Sequence, residues 1–376
     1  MEKIGIITFH KSVNYGSVLQ AYALRATLEK LGYNAEVIDY QPDNYKYLYG
    51  LFRFPRNVRD IKFDIINFLH LSLLNKRKKQ FADFRKKYLH LSKNKYQFGD
   101  DISSLNNIYS AIICGSDQIW NPKAKDSDVN FYLPIEHKAK KIAYAVSLND
   151  GFANEYKDKA KYRMYIADFD SLSVREISAQ SDLETFLGKN KRVQVVLDPT
   201  LLLQKQDFEV ICAPRRIEGS YIFFYSVHHN PATVRAVQKL SERLSLPVYF
   251  LYTNVQSHKT TNNKQFMYPQ NNISPEDFVS YIKNASFVVT DSFHGTAFSI
   301  IFEKKFFSIA KMDENGFKIR DERICGILEL LGLSDRFVSE MEIENCSVKD
   351  QPDYVVVDEK RKKLIQKSIQ FIKDAL

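Results

Sequence analysis

The residues best suited to chemistry lie in one short stretch, Asp291-Ser292-Phe293-His294-Gly295-Thr296. The β-branched and aromatic run at 287–290 predicts a buried strand before it. The apolar spacing of Ala297, Phe298, Ile300 and Ile301 predicts a helix after it. A strand that turns sharply into a helix presents backbone N–H groups at the positive end of the helix dipole, which suits an anion. His294 adds an imidazole that can exchange protons near neutral pH. Gly295 would let a ligand approach the backbone, and Asp291 is placed to orient the ring. The plainer alternative is that Ser292 or Asp291 only caps the helix and His294 packs.

Two other stretches have comparable chemistry. Gly115-Ser116-Asp117-Gln118-Ile119-Trp120-Asn121 follows a predicted strand at 110–114 and combines a hydroxyl, a carboxylate and an amide. Trp120, the only tryptophan, would give a sugar ring an apolar platform; the alternative is a turn beside a core Trp. Arg175 follows a predicted strand at 171–174 and opens a predicted helix at 177–187. Its guanidinium can grip phosphate or carboxylate with two parallel bonds, or simply pair with Glu176.

These groups sit at strand ends, so the elements that position them are those of a parallel α/β sheet. Residues 4–9 form a continuous apolar strand, the kind buried on both faces. The loop at 10–17 ends in Asn14, Gly16 and Ser17. A helical period then runs to Leu31, Gly32 stops it, and a second strand follows at 36–40. The loop lacks G-x-G-x-x-G spacing, so there is no dinucleotide fingerprint. More strands are predicted at 140–146 and 193–197, and a helix at 155–169. The polar segment at 205–219 reads as a junction, after which the alternation restarts. Strands are predicted there at 221–227, 248–252 and 306–310, and helices at 232–244, 275–282 with a Ser274 cap, and 320–331. Residues 253–265 read as a polar loop. The expected domains are 1–205 and 206–357, followed by a terminal helix at 358–376.

Residues 43–98 read as an insertion outside the sheet. Between residues 53 and 95 there are thirteen Lys and Arg against three Asp, interleaved with Phe, Ile and Leu. A basic, aromatic, helical insertion suits an anionic membrane surface. The alternative is a solvated helical hairpin that packs its Leu and Phe face on the domain.

Composition narrows the function classes. The chain has 376 residues, 44% hydrophobic and 26% charged, with a formal net charge of +9. That charge favours acidic partners, but no nucleic-acid-binding motif is present. No run approaches the roughly 20 apolar residues of a membrane span. Glu2 and Lys3 lead straight into a strand, with no secretory pattern. Cys114, Cys212, Cys325 and Cys346 are scattered, which predicts reduced thiols in the cytoplasm and no zinc site.

Taken together and in order, five motifs resemble the polysaccharide pyruvyl transferase family. They are Gly5-Ile6-Ile7-Thr8 with Asn14-Tyr15-Gly16-Ser17, then Gly115 to Asn121, Ser173-Val174-Arg175-Glu176, Asp198-Pro199-Thr200, and Ser292-Phe293-His294-Gly295-Thr296. The resemblance implies two Rossmann-like domains facing across a cleft, similar to B-type glycosyltransferases. The second domain would bind the donor, and the terminal helix would cross back to the first. It implies phosphoenolpyruvate as co-substrate with no other cofactor or metal. The acceptor would be a sugar of a surface glycan, capsule or exopolysaccharide, or its lipid-linked precursor, and the product a cyclic pyruvate ketal. The scattered thiols and the basic insertion, independently of the resemblance, predict a cytoplasmic protein with peripheral contact at the inner face of the membrane.

On this resemblance His294 and Asp117 are the expected catalytic groups. Arg175, Ser292, Gly295, Thr296, Lys311 and Lys318 would bind the donor. Asn14, Gly16, Ser17, Ser116, Gln118 and Trp120 would bind the acceptor. Characterised members carry Arg two residues before the His; here that place is Ser292, and Lys311 and Lys318 are the candidate replacement cations. Two other readings stand beside this one. The first is a B-type glycosyltransferase with a nucleotide-sugar donor. The second is a non-catalytic glycan- or membrane-binding relative.

Overall fold

The structure is a computed structural model. It describes residues 2–53, 58–148, 152–188, 191–227, 231–251, 267–344, 346–348 and 350–376. The polar loop expected at 253–265 lies outside the described residues. The chain divides into two compact units, residues 1–203 with 363–376, and residues 204–362.

The N-terminal unit is built on seven parallel strands: β1 (Lys3–Ile7), β2 (Asn34–Gln41), β3 (Leu91–Gln97), β4 (Ala111–Asp117), β5 (Lys140–Val146), β6 (Ser171–Val174) and β7 (Val193–Val195). Their order is β3-β2-β1-β4-β5-β6-β7. Its helices are α1 (Tyr15–Lys30), α2 (Tyr45–Tyr49), α3 (Val58–Leu69), α4 (Leu71–Tyr88), α5 (Phe152–Glu155), α6 (Lys159–Ala167) and α7 (Ile177–Phe186). The inner strands carry continuous apolar runs because helices cover both faces: Ile4, Ile6, Ile7, Ile112, Ile113, Ile142 and Ala143 are all buried.

The C-terminal unit repeats this plan. Its strands β8 (Ile222–Tyr225), β9 (Val248–Leu251), β10 (Met267–Gln270), β11 (Phe287–Thr290), β12 (Lys305–Ile309) and β15 (Phe337–Val338) run in the order β10-β9-β8-β11-β12-β15. A separate antiparallel pair, β13 (Lys311–Met312) and β14 (Lys318–Ile319), follows β12. The helices are α8 (Lys205–Glu209), α9 (Pro231–Leu244), α10 (Pro275–Asn284), α11 (Phe293–Ile301), α12 (Glu322–Leu331) and α13 (Tyr354–Ala375). Helix α13 starts in this unit and ends in the first. There Phe371 meets Tyr144, and Ser368 accepts the Leu197 N–H at 2.9 Å.

Both sheets therefore show a doubly wound order that reverses direction in the middle, between β1 and β4 in one and between β8 and β11 in the other. Loops leaving the carboxyl ends of the two strands at such a switch point diverge and open a crevice, the usual ligand position in this architecture.

Several expectations need correction. Residues 91–97 are not part of an insertion: they form β3, the edge strand parallel to β2. The sequence Leu-Ser-Lys-Asn-Lys-Tyr-Gln hides this, because lysines are what a solvent-facing edge carries. Edge strand β10 is hidden likewise, since Pro269 sits inside it. The helix expected at 155–169 is split, and Asp158 caps α6 by accepting the Lys161 N–H at 3.0 Å.

The loop after β1 carries a buried ionisable cluster. His10 is fully enclosed, with Nδ1 3.2 Å from the Thr8 carbonyl and Nε2 3.5 Å from the Asp39 carboxylate; Lys11 Nζ reaches the same carboxylate at 2.8 Å. Burial pushes the imidazole below its ordinary 6.5, although Asp39 works in the opposite direction. Burial would raise Asp39, yet its bonds to His10 and Lys11 prevail and hold it well below the usual carboxylate range. Because the folded His10 resists a proton that the unfolded chain accepts, its contribution to stability is lost as pH falls from about 6.5. Asp39 adds a further loss below its ordinary 3.8. His10→Asn should flatten the dependence of urea-unfolding stability on pH between about 6.5 and 5. An unchanged slope would assign the acid sensitivity elsewhere.

Candidate functional site

In the C-terminal unit the switch point is closed underneath by polar bonds between β8 and β11. Thr290 Oγ1 donates to the Tyr225 carbonyl at 2.7 Å. Asp291 accepts from Ser226 Oγ at 2.6 Å and from the Val227 N–H at 2.7 Å. The chain then enters α11. Ser292 holds the N-cap position with extended backbone, but its hydroxyl makes no capping bond to the helix. His294 follows in the first turn, mostly buried, its ring edge-on to Phe293 at 5.1 Å. An imidazole and first-turn N–H groups thus share the carboxyl edge of this sheet, next to the reversal.

Two expectations here give way. The absent side chain of Gly295 does not face a ligand: a Cβ on it would lie 2.2 Å from Thr290 Oγ1, so glycine is needed to seat α11 on β11. Thr296 is fully buried, and its hydroxyl bonds the Ser292 carbonyl at 3.1 Å and Ser308 Oγ at 2.7 Å, so it fixes the helix rather than meeting a donor. Lys311 is exposed just past the carboxyl end of β12. Lys318 is also exposed, but its ammonium is held by Glu342 at 2.9 and 3.0 Å. Of the two, Lys311 better suits the role of replacement cation.

In the N-terminal unit the switch point holds a polar network contributed by five chain segments. From the first segment, Gln20 donates to Thr8 Oγ1 at 2.8 Å and to the Ser17 carbonyl at 2.9 Å, and its Oε1 accepts the Ser116 N–H at 3.2 Å. From the second, Asp117 ends β4 with φ of 75°; it accepts from Ser17 Oγ at 2.7 Å and from the Gln118 N–H at 2.9 Å. Before it, Gly115 has φ of 130°, and a Cβ there would lie 2.1 Å from the Tyr144 carbonyl. Ser147, from the third, donates to Glu176 at 2.6 Å. Arg175, from the fourth, lies among three carboxylates: Asp198 at 2.8 Å, Asp117 at 3.6 Å and Glu176 at 3.7 Å. Asp198, from the fifth, also accepts from Thr200 and Ser116.

This geometry revises Arg175. Burial opposes its charge, but Asp198, Glu176 and Asp117 prevail and raise its pKa further. A guanidinium already shared among three carboxylates orients Asp117; it is not a clamp waiting for a dianionic donor. Of the expected acceptor residues, Ser17 and Ser116 join the network, and Gln118 is half-buried beside Asp117. Asn14 instead caps α1 by accepting from the Gly16 and Ser17 N–H groups at 2.9 and 3.3 Å, and Gly16 is buried in that turn. Trp120 is not a sugar platform. It is fully buried, stacked on Tyr132 at 5.4 Å, and its indole N–H donates to the Phe131 carbonyl at 2.9 Å.

Other members of this edge carry little signal in the sequence. Gln20 interrupts the apolar face of α1, which was the one available signal. Asp126 accepts from Tyr49 Oη at 2.8 Å; burial raises its pKa, Tyr49 works against that, and the Asp117 charge adds to it. No sequence pattern links these two to Asp117.

The sequence profile of the polysaccharide pyruvyl transferase family matches residues 14–311, which include every segment of both switch-point sets except Thr8. The chain belongs to this family. It is a transferase family of polysaccharide biosynthesis, and its name implies a sugar acceptor. No curated protein matches the chain by sequence. Among solved structures, the S. aureus MnaA–UDP co-structure is similar at TM-score 0.53 and 10% identity, covering 100% of this chain and 98% of its own. UDP-GlcNAc 2-epimerase from Methanocaldococcus jannaschii is similar at TM-score 0.52 and 10% identity, covering 98% and 99%. These likenesses identify the fold as that of the B-type glycosyltransferases.

Proposed function

We propose that the protein transfers the pyruvyl group of phosphoenolpyruvate to two hydroxyls of a sugar in a surface glycan or its lipid-linked precursor. The observation that carries this reading is His294 in the first turn of α11 at the switch point of its sheet, within a chain of this family. The first-turn N–H groups and Lys311 would hold the anionic donor. His294 would deliver a proton to the methylene carbon, making the adjacent carbon electrophilic. A sugar hydroxyl adds there, phosphate departs, and a second hydroxyl closes the ketal; in the N-terminal unit Asp117 is the carboxylate suited to orienting a sugar. Of the two hydroxyl protons, one balances the new methyl group and the other leaves with phosphate. Arg175 and Ser17 keep Asp117 aimed.

Ser292 favours a second reading. Without an Arg at that position the site suits a less highly charged group, such as the diphosphate of a nucleotide sugar. Thermal unfolding with each donor separates the two, because saturation at 100 times Kd stabilises by about 2.7 kcal/mol. Phosphoenolpyruvate should raise Tm, and Ser292→Arg should strengthen that shift. A shift only with nucleotide sugars would select the glycosyltransferase, and silence with every donor would select a non-catalytic relative.

A further inference from the structure

Helix α3 is packed inside out. Its inward side is pinned by polar groups: Asp60 accepts from Tyr47 Oη at 3.0 Å, Asp64 accepts the Arg53 N–H at 2.8 Å, and Asn67 donates to the Leu51 carbonyl at 2.8 Å, with Phe63 half-buried beneath the Arg53 guanidinium. Its outward side is apolar. Val58, Ile61, Ile65, Phe68 and Leu69 are all exposed, Val58 at 79%, Phe68 at 67% and Leu69 at 73%. At 100° per residue these positions fall within an arc of about 120°, shared only with Lys62. Water is a poor partner for such a stripe, and single exposed apolar residues do not explain it.

The neighbouring helix behaves in the ordinary way. Phe81 and Phe84 of α4 are buried against α1, Phe81 meeting Tyr15 at 5.1 Å and Phe84 meeting Tyr22 at 6.4 Å. Arg77 and Arg85 donate to the carbonyls of Val13 and Lys11, in the loop after β1. Helix α4 therefore settles the packing of the hairpin, and α3 is left with its apolar face outward. Lys62 on α3 and Lys76 and Lys79 on α4 are exposed.

We propose that α3 lies in the plane of an anionic lipid surface, its apolar stripe in the acyl boundary and these lysines among the headgroups. A second copy of the chain is a poorer occupant, since a two-fold contact would bring like charges together. Among the described residues no helix is long and apolar enough to cross a membrane, so the mode is lying on the surface rather than spanning it. The hairpin hangs on the loop that leads into Ser17, so docking there would bring a lipid-borne acceptor to the Asp117 edge. The docking itself is independent of the donor.

The test is cosedimentation of the full chain with phosphatidylglycerol–phosphatidylcholine vesicles and with phosphatidylcholine alone. Binding should favour the anionic vesicles and weaken with salt. The double variant Ile65→Ser/Phe68→Ser should lose about tenfold or more in partitioning, and Lys76→Glu/Lys79→Glu a similar factor. Both variants should keep the parent Tm, because the side chains are exposed, and should keep turnover on a soluble acceptor fragment. Absent binding, or binding that neither variant alters, would overturn the proposal. So would a concentration-dependent dimer dissolved by Ile65→Ser/Phe68→Ser, which would give the stripe to a second copy.

Discussion

Replacing His294 by Ala should lower turnover with phosphoenolpyruvate at least 10²-fold, the ordinary scale for a positioned proton-transfer group. The expectation rests on placement. His294 sits in the first turn of α11, where the helix begins at the carboxyl end of β11, and Ser292 leaves that turn without a hydroxyl cap. The kinetic split distinguishes its two roles. If His294 moves a proton, kcat should fall and donor binding by thermal shift should largely survive. If it only holds phosphate, KM should rise and kcat should change little. Loss of less than about tenfold in both would remove His294 from the mechanism.

The fold was legible where burial imposes a pattern. Strands β1, β4 and β11 carry continuous apolar runs because helices cover both faces, and Ser274 announces α10 through a capping box with Asp277. Edge strands β3 and β10 were not legible, because an edge needs neither alternation nor continuous apolarity. The candidate site was legible as segments but not as a network. Asp198-Pro199-Thr200 stands out as a motif, but only the parallel pairing of β6 with β7 brings Asp198 to Arg175. Trp120 and Gly295 mislead for a related reason. A lone Trp beside polar residues and a Gly before a helix look the same in sequence whether they face a ligand or a neighbouring element; only the stack on Tyr132 and the contact with Thr290 decide. The stripe on α3 was visible as apolar spacing, but which way it faced was not. Spacing predicts an amphipathic helix and says nothing about which side the domain covers.

Arg175→Leu should destabilise the protein by about 3–5 kcal/mol, because removing one partner of a buried ionic cluster leaves uncompensated charge. For a unit of this size that corresponds to a fall in Tm of roughly 6–20 °C. Asp198 and Glu176 have almost no exposed surface, so water cannot replace the lost guanidinium. Asp117 is partly exposed and will suffer less, but it loses the group that aims it. Adding Asp198→Asn to Arg175→Leu removes the carboxylate closest to the vacated position, at 2.8 Å in the parent, and should recover part of the loss. That non-additivity is the decisive measurement. A guanidinium whose work is to grip a donor would give a different result: its replacement would raise the donor KM, leave Tm near the parent value, and gain nothing from Asp198→Asn. A cation that organises carboxylates should show the reverse, with a large fall in Tm, rescue by the second substitution, and acceptor kinetics more disturbed than donor kinetics.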